Sequence, residues 1–105
     1  MVDHELNELR REFLDEAREK VDEMQSALEK VRERDALDRL AYLAHQLKGS
    51  GGSYGYQRIS TDAAQLEKAV ESITDGGTSD SGSLERYVVS LRTEIDRAAN
   101  ELAVT

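Results

Sequence analysis

Residues 44–56 of the chain read Ala44-His45-Gln46-Leu47-Lys48-Gly49-Ser50-Gly51-Gly52-Ser53-Tyr54-Gly55-Tyr56. This stretch holds one of the two histidines of the chain, with a lysine three residues later and then a run of very small residues. Apolar residues precede it at helical spacing, so we expect His45 to lie on a helix. Gly49 and Gly52 follow one and two turns later and would leave that helix face bare. The segment therefore predicts an exposed imidazole on a flat surface that a partner protein could cover.

The glycines of this segment also fit a helix end, because each costs up to about 1 kcal/mol inside a helix. We nevertheless expect the helix to continue to about Ser53. Tertiary packing of the apolar turns before the glycines, and of Tyr54 and Tyr56 after them, can hold it together. Glycines retained in a helix usually mark the close approach of another backbone.

The composition restricts the class of protein. A chain of 105 residues is long enough for one domain and too short for two. It contains no cysteine, which excludes disulfides, zinc–thiolate sites and thiol catalysis. The net charge of −8 disfavours nucleic acid and anionic membranes as partners. No apolar run approaches the roughly 20 residues that span a bilayer, and no signal-peptide pattern opens the chain, so we expect a cytoplasmic monomer.

Four amphipathic helices are predicted, over about residues 4–33, 35–53, 57–74 and 83–103. We expect Asp35 to cap the second helix and Ser83 the fourth, and the polar residues 75–82 to form the one clear loop. The first helix carries apolar residues at steps of three or four, namely Leu6, Leu9, Phe13, Ala17, Val21, Met24, Leu28 and Val31. At about 45 Å it is longer than the domain needs. Its first turns either overhang or form a short extra N-terminal helical turn near Asn7.

These helices predict an all-α fold, an antiparallel up-down four-helix bundle in which each apolar stripe is buried against the others. The second helix directs its apolar stripe inward, and His45 falls at the margin of that stripe. The inward residues of this helix are Leu37, Leu40, Ala41, Ala44 and Leu47.

Several kinds of chemistry are disfavoured at His45. A metal centre needs three or four converging ligands, and His45 has no histidine at ligand spacing; His4 lies far away and is expected to be structural or disordered. The glycines lack the spacing of a phosphate-binding Walker loop. A hydrolase that uses Ser50 or Ser53 as nucleophile stays open as a weaker alternative, because no spacing specifies a catalytic triad.

The remaining possibility is that His45 is itself the nucleophile. Neutral imidazole is competent near pH 7, since its unperturbed pKa is about 6.5. Phosphoryl transfer suits it, because that reaction depends mainly on positioning and charge neutralisation. Lys48, one turn on, can supply positive charge. A carboxylate on the other ring nitrogen would fix the tautomer, and Glu67 on the third helix is our candidate, with Gln65 second.

Residues 44–55 resemble the motif of the histidine phosphotransfer (HPt) domain family at every fixed position, and the flanking helices resemble the family's four-helix bundle. The resemblance implies that His45 accepts the phosphoryl group on Nε2 and that Lys48 assists it. It also implies that Gly49 and Gly52 keep a docking face clear, to which we add Tyr42 and Gln46. The partners would be response-regulator receiver domains or a histidine kinase, with Mg²⁺ brought by the receiver. The domain would have no cofactor, nucleotide site or kinase activity of its own.

Two further alternatives stay open within this resemblance. The ending Tyr54-Gly55-Tyr56 looks closest to the phosphotransfer domain of chemotaxis-type histidine kinases, where a glutamate matching Glu67 orients the histidine. Ala63 and Ala64 look more like the general family. The chain is therefore either a relay protein or the phosphorylatable N-terminal domain of a chemotaxis-type kinase. The other alternative is a bundle that docks a receiver without transferring phosphate.

Overall fold

A computed structural model describes residues 4–30, 33–74 and 81–104, apart from the side chain of Ser81. The described residues form four α-helices and no strand: α1 (His4–Leu28), α2 (Arg34–Ser53), α3 (Gln57–Thr74) and α4 (Ser81–Ala103). Each helix packs against its neighbour in the chain, and α4 closes the bundle against α1. The predicted all-α up-down bundle is therefore confirmed.

The core is apolar throughout the described residues, and no polar side chain is buried in it. Every helix contributes its inner stripe, with Val21, Leu40, Leu66 and Leu91 fully buried. Burial of apolar surface stabilises the fold by about 25 cal/mol per Å². The stripe predicted for α1 is correct for Phe13, Ala17, Val21 and Met24. It is wrong for Leu9, which is 47% exposed, and Val31 lies outside the described residues.

Leu9 is exposed because it lies on the outer face of α1, whereas Leu6, Asn7 and Arg10 at the same end of the helix are partly buried. The helix is continuous from His4, so no separate turn breaks off near Asn7. At its other end α1 stops at Leu28, well before the predicted residue 33. After Leu28 the backbone N–H groups donate hydrogen bonds to the carbonyl three residues earlier, as in a 3₁₀ turn. One of them runs from Lys30 N–H to the Ala27 carbonyl at 2.9 Å. Such bonds tighten the last turn and end the helix.

Two predicted helix starts are also wrong. Helix α2 begins at Arg34, with Glu33 as an N-cap whose side chain makes no capping bond. Asp35 lies in the first turn instead, where its negative charge stabilises the helix by interacting with the positive end of the helix dipole. Helix α4 begins at Ser81, so Ser83 lies in the first turn and its Oγ accepts from Arg86 at 3.2 Å. The predicted loop therefore ends before residue 81, and its residues 75–80 lie outside the described part of the chain.

Helix α2 runs through its glycines to Ser53, as predicted, and ends in a Schellman motif. Tyr56 N–H bonds the Gly51 carbonyl at 2.7 Å, and Gly55 N–H bonds the Gly52 carbonyl at 3.1 Å. Gly55 has φ +85°, a left-handed conformation that glycine adopts without steric cost. The Phe13 ring packs against both tyrosines, with ring centroids 4.9 Å from Tyr54 and 5.9 Å from Tyr56. This stack ties the α2–α3 turn to α1.

Helices α2 and α3 approach each other closely at Gly51, which is buried. A Cβ atom there would lie 3.2 Å from the Ser60 backbone nitrogen, 3.3 Å from Ile59 Cγ2 and 3.4 Å from the Tyr56 carbonyl oxygen. Beside this contact, Ser60 Oγ donates a hydrogen bond to the Lys48 carbonyl at 2.8 Å. Only a residue without a side chain lets the first turn of α3 come this close to α2.

Alanine substitution at two glycines of α2 should have opposite effects. Gly49→Ala should stabilise the bundle by about 0.5–1 kcal/mol, because alanine is the better helix former and no neighbouring atom lies within 4 Å of the new Cβ. Gly51→Ala should destabilise it by about 1 kcal/mol, because the start of α3 must move. Urea unfolding of both variants measures the difference. Equal stability of the two would show that α3 shifts without cost.

Candidate functional site

The candidate site lies where α2 and α3 pack together, on the surface of the bundle. His45 projects from α2 with 65% of its side chain exposed. Lys48 lies one turn further along α2 and is 40% exposed. Glu67 faces both from α3 and is the most enclosed of the three, with 15% of its side chain exposed. The structure thus brings together the histidine, the lysine and the carboxylate that the sequence singled out.

The Glu67 carboxylate bridges the two α2 side chains. His45 Nδ1 lies 2.9 Å from Glu67 Oε2, and Lys48 Nζ donates to Glu67 Oε1 at 2.8 Å. An ionised carboxylate can only accept hydrogen bonds, so Nδ1 is the protonated ring nitrogen. The neutral ring therefore carries its free electron pair on Nε2. This is the arrangement that a nucleophilic imidazole requires.

The Glu67 carboxyl is held in its charged form by its partners. The hydrogen bond from Lys48 lowers the pKa of Glu67, and the bond from His45 acts in the same direction. Burial opposes them by raising this pKa, but the net shift is downward. Gln65, the second candidate for this position, lies exposed on α3 and makes no bond to His45 within the described residues.

The predicted docking residues divide into two groups. Gly49, one turn after His45, is exposed and borders open space. Tyr42, one turn before it, is 52% exposed, and its hydroxyl accepts a hydrogen bond from Gln46 at 2.9 Å. Gly52 lies against α3 instead, where a Cβ would be 3.7 Å from Ser60 Oγ. The open helix face beside His45 is therefore formed by Tyr42, Gln46 and Gly49.

A family comparison identifies the kind of domain. The family model of the Hpt domain matches residues 8–101, which is nearly the whole chain. The chain belongs to the Hpt family. Hpt domains serve in histidine phosphotransfer in two-component signalling, and they interact with receiver domains and histidine kinases. No match was found among the curated proteins or among the solved structures.

The geometry also bears on other chemistry in this Hpt domain. Among the described residues, no group of three or more histidine or carboxylate side chains could hold a metal ion. Within the same residues, no hydrogen bond joins His45 to Ser50 or Ser53, which a hydrolytic triad would need. None of the described helices is long and apolar enough to cross a membrane. His4 lies exposed in the first turn of α1.

Sequence reasoning missed two features of the site. Glu16 and Lys20 of α1 line a shallow groove that also reaches His45. The hydrogen bond from Ser60 Oγ to the Lys48 carbonyl was likewise not predicted. Neither has a signal in a single sequence, because both depend on the register of one helix against another.

The lowered pKa of Glu67 predicts a specific acid dependence of stability. The charged Glu67 carboxylate contributes fully to the free energy of unfolding above the pKa that this group has in the unfolded chain. That contribution is lost as the pH falls through the lower pKa of the folded state. The wild type should therefore be more stable than Glu67→Gln at neutral pH, and the gap should close in acid. Urea unfolding of both proteins from about pH 7 to about pH 3 measures this gap.

Glu71→Gln is the matched control, because it makes the same change one turn further along α3 at an exposed side chain. The difference in unfolding free energy between Glu71→Gln and the wild type should depend less on pH. A gap between the wild type and Glu67→Gln that stays constant into acid would contradict the bridge described above.

Proposed function

We propose that this Hpt domain relays a phosphoryl group between Nε2 of His45 and the aspartates of receiver domains. The observation that carries the proposal is the bond between His45 Nδ1 and Glu67, formed on a ring that is 65% exposed. It holds the proton on Nδ1 and leaves Nε2 as the nucleophile. The exposure leaves room for a partner's aspartyl phosphate to approach.

The proposed step is a displacement at phosphorus. Nε2 attacks, the Nε2–P bond forms, and the bond from phosphorus to the aspartate oxygen breaks, so that the carboxylate leaves with the bonding electrons. Nδ1 keeps its proton, and the ring therefore becomes positively charged. Glu67 lies 2.9 Å from that proton and offsets the charge as it develops. Transfer to the next aspartate is the reverse of this step.

Lys48 has two uses in this proposal. Its ion pair with Glu67 keeps the carboxylate charged and fixes its position next to the imidazole. It also lies one turn from His45 and is partly exposed, so its positive charge is available to the phosphoryl oxygens, as the family resemblance implies.

The domain is expected to supply half of the catalytic machinery. The receiver would bring Mg²⁺ and the aspartate, and the domain would have neither kinase activity nor a nucleotide site. A relay fed by an ATP-dependent kinase would operate in the cytoplasm, the compartment predicted from the sequence. The net charge of −8 continues to argue against nucleic acid as a partner.

The surface formed by Tyr42, Gln46 and Gly49 is our proposed docking face. Tyr42 combines an exposed ring with a hydroxyl fixed by Gln46, and aromatic side chains of this kind often dominate the energy of an interface. Arg39 lies over the same ring at 5.3 Å and pairs with Glu23 of α1. The ring is therefore held in place before a partner arrives.

A second candidate function is that of the phosphorylatable domain of a chemotaxis-type kinase. The contact between Glu67 and His45 favours it, because a matching glutamate orients the histidine in that subgroup. The two functions differ in the phosphoryl donor. A phosphorylated receiver would supply the group in a relay, whereas the kinase's own ATP-binding domain would supply it in the alternative.

The test of the proposal is transfer of label from a phosphorylated receiver to the isolated domain. We expect an acid-labile, base-stable phosphoryl linkage that His45→Gln abolishes, with urea unfolding almost unchanged because the side chain is exposed. His4→Gln removes the other histidine and should leave transfer intact. Label that persists in His45→Gln would refute the assignment, and binding without transfer by the wild type would favour the non-transferring bundle.

Gly49→Leu tests the docking face separately from the chemistry. The added side chain projects into open space, so the fold should be kept while receiver docking is obstructed. Transfer from a receiver should fall by about tenfold or more. Phosphorylation of His45 by the small donor phosphoramidate should fall far less than transfer from the receiver, and Gly49→Ala should affect transfer much less than Gly49→Leu. Equal loss with both donors would place Gly49 in the chemistry and not in docking.

A further inference from the structure

A shallow groove between α1 and α2 runs beside His45, and we call it the α1–α2 groove. Glu16 and Lys20 line it from α1, and His45, Gly49 and Ser50 line it from α2. Its α2 side is formed largely by small residues, so the space next to the imidazole is open. Glu67, which belongs to α3, does not line the groove.

The imidazole directs Nε2 away from α3. Nδ1 is bonded to Glu67, and the two ring nitrogens point in nearly opposite directions. A group attached to Nε2 therefore lies on the side of the ring away from Glu67, and the α1–α2 groove borders His45 without Glu67. Lys48 is bonded to the same carboxylate as Nδ1, so its charge is shared with Glu67 on the other side. A second positive charge, free of Glu67, would have to come from another residue.

Lys20 is the basic residue that lines the α1–α2 groove. Its side chain is partly exposed, and within the described residues it forms no ion pair. The neighbouring acid on its own helix, Glu23, is already engaged: its pKa is lowered first by the hydrogen bond from Arg39 and only weakly by Lys20. Lys20 is therefore available to a new anion in the groove.

We propose that Lys20 contacts the oxygens of the phosphoryl group on His45 Nε2 and neutralises part of its charge, as a catalytic residue supplied by α1. This inference rests on the proposed function and adds a second cation to it. Bond making and breaking are those of the displacement given above, and Lys20 stays protonated throughout. Glu16, one turn away in the same groove, repels the phosphoryl group and so favours its placement towards Lys20.

The phosphoryl group would have charged side chains of this domain on two sides. In the α1–α2 groove these are Glu16 and Lys20, and across the ring they are the paired Lys48 and Glu67. Removal of Lys20 leaves Glu16 as the charged residue of the groove. The titration of the phosphoryl group should therefore respond strongly to that one substitution.

The test is ³¹P NMR of the intact domain phosphorylated on His45 with phosphoramidate. In Lys20→Met the midpoint of the phosphoryl titration should rise by about half a pH unit, because a positive neighbour no longer favours the dianion. Lys20→Arg should restore the wild-type midpoint. Lys30→Met is the matched control, since it removes a lysine from the turn that follows α1, outside the groove.

The rate of transfer from a phosphorylated receiver provides the second measurement. Lys20→Met should slow it by about fivefold, and Lys30→Met should not. An unchanged phosphoryl titration in Lys20→Met would overturn the role of Lys20 while leaving His45 as the acceptor. Absence of any label on His45 in the wild type would overturn the proposed function and this inference together.

Discussion

The site depends on how closely α3 packs against α2 at Gly51. Glu67 reaches His45 and Lys48 from an α3 whose start lies against the backbone of α2, where a single Cβ on Gly51 would be 3.2 Å from the Ser60 nitrogen. Ser60 then fixes the register of the two helices through the Lys48 carbonyl. A small change in this packing would move the carboxylate relative to the imidazole. The glycines therefore serve two purposes, with Gly51 allowing the helices to approach and Gly49 keeping the surface open.

Most of the fold could be predicted from the sequence because the helices bury one face each. The apolar stripes gave the number of helices and most of the core, and the α2 helix continues through its glycines as predicted. The errors fall at the helix ends. Asp35 is a good capping residue, but hydrogen bonding at Glu33 starts the helix earlier. Leu9 continues the apolar period, yet the partly buried face of α1 at that end is formed by Leu6, Asn7 and Arg10.

The site could be predicted in part. His45, Lys48 and Glu67 follow from the motif and from its distance to the third helix, and the structure places them within hydrogen-bonding distance. The sequence did not reveal that Lys48 also binds Glu67, or that Lys20 lines the groove beside the ring. These contacts depend on the rotation and offset of whole helices. A single sequence gives the period of each helix but not its register against another.

The bond between Glu67 and His45 also joins the chemical state of the ring to the energy of the fold. A phosphoryl group on Nε2 would make the ring cationic, so that this hydrogen bond, in which only the Glu67 carboxylate is charged, would become an ion pair between two charged groups. The bundle would then hold the phosphorylated histidine more firmly than the free one. This added stabilisation would be lost when the phosphoryl group leaves, so it would make transfer from His45 less favourable by the same free energy. In the proposed function, the packing of two helices would thus help to set the transfer potential of a phosphohistidine at this position.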